Sequence, residues 1–171
     1  TLSQPPIIWD SAEGFQIYDG FGNKWIDFSS GVLVANAGYK RERMLEAILE
    51  QVEKGLWHTF LFPNEARALL AEKLTQVAPP GLDTVFLLTT GSEATENALK
   101  LMRTHGLNTG GREKITVISF EGAFHGRTLG SQQMGGIPQL KEWIVNLDPD
   151  LIQVPFPDCQ RCPWGKETYQ D

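Results

Sequence analysis

The chain has 171 residues, of which 41% are hydrophobic and 21% charged, enough for one domain with a core or for part of a larger one. Fifteen Lys and Arg against twenty-one Asp and Glu give a formal charge of −6, which argues against nucleic acid or an anionic membrane as the main partner, since both reward clustered cations. No apolar run approaches the 18 residues of a membrane span, and the opening TLSQPPIIWD lacks the charged-then-apolar order of a signal peptide, so a soluble, cytoplasmic protein is expected.

The segment FQIYDGFGNKWIDF (15–28) reads as two short strands around a glycine-containing turn. The small-residue-rich SSGVLVANAGYKRER that follows reads as irregular. Over 41–54 the pattern becomes helical, with Met44, Leu45, Ile48, Leu49 and Val52 at three- and four-residue spacing and Gly55 as the stop. A second helix is predicted over 64–77, with Ala68, Leu69, Ala71, Leu74 and Val77 inward and Pro79, Pro80 and Gly81 ending it.

The run TVFLL (84–88) has the continuous apolar character of a strand covered on both faces. A helix is predicted over 93–105, with Ala94, Ala98, Leu101 and Met102 on one stripe and Gly106 past its end. KITVIS (114–119) reads as a second buried strand. Strand, helix and strand in about 35 residues form a βαβ unit with parallel strands. After Gly126 come a short amphipathic piece over 140–145, the apolar LIQVPF, a loop FPDCQRCPWG and a polar tail. Two strands are too few for a finished sheet, and there are no internal repeats.

The chemistry concentrates at two strand-to-helix junctions. In TTGSEATENALKL, Thr90 and Glu93 form a T-x-x-E capping box, which places Gly91 and Ser92 in the first helical turn. The free N–H groups and positive dipole end there make an anion cup, with Gly91 allowing close approach and the Ser92 hydroxyl adding a donor. A capped helix with nothing bound explains the same residues, and the local sequence does not separate the two. Neither a GxxxxGK[ST] loop nor a GxGxxG after a strand is present, so a nucleoside triphosphatase and a dinucleotide fold are excluded. In the second junction, Phe124 and His125 stand between Gly122 and Gly126. Taken alone, each is better explained as packing; beside the Gly91–Ser92 cup, Phe124 could stack on a flat ring whose phosphate the cup holds. Cys159 and Cys162 form a lone CxxC between prolines, two ligands where a closed tetrahedral site needs four.

TTGSEATENALKL, ISFEGAFHGRTLG and IYDGFGNKWIDFSSGV, in this order and spacing, resemble the N-terminal part of class III aminotransferases over about residues 4–165. These are fold-type I enzymes dependent on pyridoxal 5'-phosphate (PLP), and they include 4-aminobutyrate, ornithine and other ω-aminotransferases. The resemblance implies an α/β fold. Residues 1–55 would be an N-terminal segment of hairpin and helix, part of the small domain, and 56–171 the first part of a mostly parallel α/β/α sheet domain. It implies that Gly91 and Ser92 bind the PLP phosphate, that Phe124 stacks on the pyridine ring and that His125 shapes the loop. Val32, with Trp57 and Phe60 of the WHTFLF stretch, would line the substrate side, in a homodimer or higher oligomer whose active site lies at the subunit interface.

The implied activity moves an amino group from an ω-amino or α-amino donor to a 2-oxo acid. A racemase or epimerase on the same scaffold is the alternative, as is a truncated, non-catalytic homologue acting in binding or dimerisation, and a CxxC metal-binding module is a third reading. The family's Schiff-base lysine and the acid that faces the pyridine nitrogen are expected downstream. None of the eight lysines here stands in that context, so this segment by itself is expected not to transaminate. Gly38-Tyr39-Lys40-Arg41 departs from the GHxHP-like segment of many relatives. The FPDCQRCPWG loop resembles one in 4-aminobutyrate aminotransferases, some of which bridge two subunits with an iron–sulfur cluster; Cys159 and Cys162, doubled by a two-fold axis, would supply four ligands.

Overall fold

The computed structural model describes residues 7–56, 58–59, 61–162 and 165. The chain divides into two compact units, Thr1–Gln76 and Val77–Asp171.

The first unit carries a three-stranded antiparallel sheet, β1 (Trp9–Glu13), β2 (Gln16–Asp19) and β3 (Lys24–Ile26), with β2 in the centre. The β2–β3 hairpin is the one its sequence announced. Its turn is built by Asp19, whose carboxylate accepts from the Phe21 and Asn23 amides, the Asn23 side chain and the Trp25 indole N–H. The bonds from Asn23, ahead of those from Trp25 and Phe21, hold this buried carboxyl below its ordinary range. Ile17, two residues away on the same face, is the most buried large side chain of the unit. β1 was not expected, because WDSAE has neither alternation nor β-formers; it is a strand because it pairs with the free edge of β2.

The segment read as irregular contains a hydrogen-bonded turn, α1 (Ser30–Leu33), wound in the left-handed sense. Four successive residues have positive φ, from 51° at Ser30 to 68° at Leu33. For Ser30, Val32 and Leu33 this costs about 1–2 kcal/mol each, so something must hold the turn. Asp27 does: one carboxylate oxygen accepts from the Ser29 amide and hydroxyl, the other from the Gly31 amide and the Tyr39 hydroxyl, all at 2.6–2.8 Å. The Ser29 hydroxyl, followed by that of Tyr39, brings the Asp27 pKa to about 2. Tyr39 is in turn fixed by a two-way backbone bridge to Gly14. The departure at Gly38–Arg41 thus has a structural role in closing this clamp.

Helices α2 (Glu42–Glu53) and α3 (Glu65–Val77) fall where periodicity placed them. Their apolar stripes are half-exposed: Met44, Ile48 and Leu49 on α2 and Leu69 on α3 are all more than 50% accessible, so the inward face expected of α3 is uncovered among the described residues.

The second unit begins with a correction. Residues 84–88 join no ladder among the described residues, although their composition is that of a buried strand. The parallel pair is instead β4 (Val117–Phe120) with β5 (Leu151–Val154), in register from Val117 opposite Leu151 to Phe120 opposite Val154. β5 is the LIQV run that the sequence left without an assignment. Helix α4 (Gly91–Gly110) runs four residues past Gly106, which does not end it. Gly106 is buried in the helix because the Lys114 carbonyl lies where a Cβ would be, and a 3-10 turn over Gly111–Lys114 delays β4 to Val117. The amphipathic piece expected over 140–145 is no helix: a 3-10 turn at Pro138–Leu140 is followed by turns that bury Ile144 and leave Val145 exposed. A short helix, α5 (Leu129–Met134), packs over the sheet. Val117, Met134 and Leu151 form the core, with Leu99 of α4 against it. The Arg103–Asp148 ion pair, 2.8 Å, ties α4 to the segment before β5, and Arg103 holds the Asp148 carboxyl below its ordinary range. No helix among the described residues is long and apolar enough to cross a membrane.

Candidate functional site

The start of α4 is capped as its sequence requires, with one difference. Thr90 is extended (φ −141°, ψ 162°) and its hydroxyl accepts from the Glu93 amide at 3.1 Å. The Glu93 carboxylate reaches back to the amide and hydroxyl of Thr89, one residue further than a reciprocal capping box would take it. The Thr89 hydroxyl, then its amide, holds the Glu93 carboxyl below its ordinary range.

This cap satisfies the Glu93 amide, and the Thr90 carbonyl takes the Ala94 amide at 3.0 Å. The amides of Gly91 and Ser92 have no hydrogen-bond acceptor among the described residues. Among the described residues nothing outside the helix's own first turn lies within 4 Å of where a Gly91 Cβ would stand, so the approach to Gly91 is open at the positive end of a 20-residue helix. The Ser92 hydroxyl oxygen accepts from the Arg127 amide at 3.1 Å, and its own proton has no acceptor among the described residues. One helical turn thus carries three donors without an acceptor among the described residues.

The Phe124–His125 loop leaves β4 and is anchored at both ends. Glu121 N donates to Val154 O, Gly122 N to Gly136 O and Gly136 N to Ala123 O. On the other side the loop lies against α4. The Thr95 hydroxyl is 2.7 Å from the His125 carbonyl and 2.9 Å from that of Ser92. Gly126 has φ +132°, and a Cβ there would overlap the Ser92 hydroxyl oxygen. Only a glycine lets the loop come this close in this conformation. Phe124 is 60% accessible, its ring exposed among the described residues. His125 contributes its carbonyl; its imidazole makes no hydrogen bond among the described residues.

Sequence reasoning missed a further residue that ties this region to α4. Glu96, one turn along α4 from Ser92, accepts at a single oxygen from the Thr128 hydroxyl (2.7 Å), the Gly130 amide (2.8 Å) and the Ser131 amide (3.1 Å). The available signal was the spacing of Ser92, Thr95 and Glu96, which puts all three polar side chains on one helix face.

The remaining candidates belong to other segments of the chain. Val32 stands in the left-handed turn of the first unit, 78% accessible, and lines an apolar cavity of about 680 Å³ with Trp9, Trp25 and Asp27. Trp57 and Phe60 lie outside the described residues. Cys159 opens a 3-10 turn (Cys159–Arg161) whose start is capped by Asp158, and Cys162 is a half-buried free thiol. The described residues hold no group of three or more His, Cys, Asp or Glu arranged for a metal ion.

Residues 2–170 match the family model "Aminotransferase class-III". The chain belongs to that family. It is 35% identical over 159 residues to an acetylornithine aminotransferase of Agrobacterium fabrum, covering 92% of this chain and 39% of the relative. It is 31% identical over 167 residues to a leucine/methionine racemase of Thermococcus litoralis, covering 97% of this chain and 36% of that protein. Among solved structures, an omega transaminase from Pseudomonas jessenii in complex with PMP superposes with a TM-score of 0.83 at 28% identity, over 92% of this chain and 35% of the other. The chain thus spans well under half the length of the proteins it matches, and its architecture is that of their N-terminal α/β portion.

Proposed function

We propose that this class III aminotransferase chain supplies the phosphate-holding and ring-holding half of a PLP site, in an enzyme that moves an amino group from an ω-amino or α-amino donor to a 2-oxo acid. The observation that carries this reading is that the Gly91 and Ser92 amides and the Ser92 hydroxyl, all at one open helix N-terminus, have no acceptor among the described residues. A phosphate dianion has the charge and acceptor geometry those donors lack a partner for. The exposed Phe124 ring, on a loop tied to that same turn, suits a flat heteroaromatic group.

PLP when bound supplies the electron sink for breaking bonds at the amino-bearing carbon. The part played by these residues is binding and orientation. Gly91 and Ser92 would fix the phosphate, Phe124 would limit tilt of the ring, and His125 would shape the loop through its backbone. Val32, Trp57 and Phe60 are proposed to line the substrate side. The lysine that carries the chemistry would lie downstream, so the segment alone would bind without turning over. We place residues 1–55 in the small domain and 56–171 in the large domain of a cytoplasmic homodimer.

Titration of the full-length apoenzyme with PLP, followed by absorbance, tests the reading. Gly91→Val, which fills the open approach without touching the core, is expected to weaken PLP binding by roughly 100-fold with the melting temperature little changed. Unchanged affinity in a folded variant would refute the placement of the site. The Thermococcus litoralis relative, matched over 97% of this chain, favours amino acid racemisation as a second reading. Keto-acid-dependent amino transfer measured against loss of optical activity separates the two.

A further inference from the structure

Glu96 stands in the first turns of α4 but serves a different helix. The six residues of α5 are too few to be stable as an isolated helix, and its N-cap, Thr128, makes no side-chain capping bond. The two orphan amides that an N-cap side chain would normally satisfy, those of Gly130 and Ser131, are instead taken by the Glu96 carboxylate. The Thr128 hydroxyl donates to the same oxygen and also lies 2.8 Å from the Ser131 hydroxyl. A Cβ at Gly130 would meet the other Glu96 oxygen and displace that carboxylate from its present position. Burial by itself would raise the Glu96 pKa; the Thr128 hydroxyl and the Ser131 and Gly130 amides outweigh it and keep the carboxyl below its ordinary range.

The consequence reaches the loop between. Residues 121–128 are bounded by β4 on one side and by Thr128 on the other, and Phe124 is the exposed ring in the middle. The sheet fixes the first end through Glu121 and Gly122. At the second end, the Glu96 bonds join Thr128 and the start of α5 to α4, next to the Arg127 amide bond to the Ser92 hydroxyl and the Thr95 bond to the His125 carbonyl. The core of Val117, Met134 and Leu151 does not include them, and Ser119 Oγ independently holds the Met134 carbonyl at 2.5 Å. Removing Glu96 therefore loosens the start of α5 and the C-terminal end of the loop, leaving the sheet and the Thr95 and Ser92 bonds in place.

We infer that Glu96 is a positioning residue: by capping α5 from α4, its carboxylate sets where the Phe124–His125 loop stands against the Gly91–Ser92 turn, and so fixes the ring-holding group relative to the phosphate-holding one. This rests on the PLP reading above. A charge at Glu96 never touches the ligand; it acts through the loop.

The experiment uses full-length protein and PLP as the probe, with affinity from apoenzyme titration and the visible circular dichroism of the bound cofactor as a report on how the ring is held. Glu96→Ala is expected to weaken PLP binding by about ten-fold, the loss of one helix cap, and to diminish the visible dichroic band. Glu96→Gln keeps an oxygen that can accept from Gly130 and Ser131 and is expected to stay within about three-fold of the wild type with the band retained. If Glu96→Ala does not fold, Thr128→Val removes one of the three donors and should shift affinity and band in the same direction, by about three-fold. A folded Glu96→Ala or Thr128→Val protein with wild-type affinity and an unchanged band overturns the inference. Gly91→Val, run alongside, separates the two levels. If it weakens binding while Glu96→Ala does not, the clasp fails alone; if Gly91→Val also leaves binding intact, the site placement fails and the clasp with it.

Discussion

In each unit of this chain a carboxylate ties one segment to another, Asp27 in the first and Glu96 in the second, and the two work at different ranges. Asp27 gathers partners two, four and twelve residues away, at Ser29, Gly31 and Tyr39. Glu96 gathers partners 32, 34 and 35 residues away, at Thr128, Gly130 and Ser131. The first holds a strained left-handed turn within one short segment. The second joins α4 to the start of α5, more than thirty residues along the chain. A local clamp protects a shape, whereas a long-range clasp fixes the distance between two segments.

The largest expected effect breaks the long-range side. Gly126→Ala combines a φ of +132° with overlap onto the Ser92 hydroxyl, a strain of about 3 kcal/mol, and should lower PLP affinity in the full-length protein by roughly 100-fold. Wild-type affinity there would mean that the loop need not lie against α4 for binding, and the contrast between the two clamps would collapse.

The local side breaks more gently. Asp27→Asn keeps an acceptor but loses the charge, and amide exchange should show faster exchange at Leu33 and Val34, whose N–H groups close the turn onto Ser29 and Ser30. The pH dependence has a definite sign. The folded Asp27 pKa of about 2 lies below the ordinary 3.8, so its stabilisation is present above 3.8 and is lost as pH falls from there toward 2. The same amides, followed from pH 5 to pH 2, should lose protection in that window; protection that is flat down to pH 2 would show that the turn stands without the carboxylate.

The smallest effect sharpens the comparison by its near absence. His125→Ala removes an imidazole that makes no hydrogen bond among the described residues while leaving the carbonyl that faces Thr95. PLP affinity should stay within about two-fold. A larger loss would give the imidazole a direct role that its backbone does not explain.

The legible parts of the molecule are those whose signals are local. Met44 to Val52 specified α2 by spacing, and Thr90 with Glu93 marked the start of α4. Gly91, Ser92 and Phe124 were singled out by residue type, and the structure brings their two loops together through Ser92, Gly126 and Thr95. What was misread depends on pairing. TVFLL has the composition of a buried strand but no neighbour among the described residues, whereas the polar WDSAE is a strand because β2 offers an edge. Gly106, which reads as a helix stop, is internal because a distant carbonyl packs against it.

By itself, then, the sequence determined helices α2 and α3, the start of α4 and the hairpin turn, because periodicity, capping and turn chemistry act over a few residues. Only the tertiary structure decided which strands pair, that Asp27 and Tyr39 jointly hold a left-handed turn, and that Glu96 belongs to a helix it is not part of. Those outcomes rest on hydrogen bonds between groups a dozen to three dozen residues apart. No local pattern encodes such bonds, since each donor is satisfied only once the chain has folded back upon its acceptor.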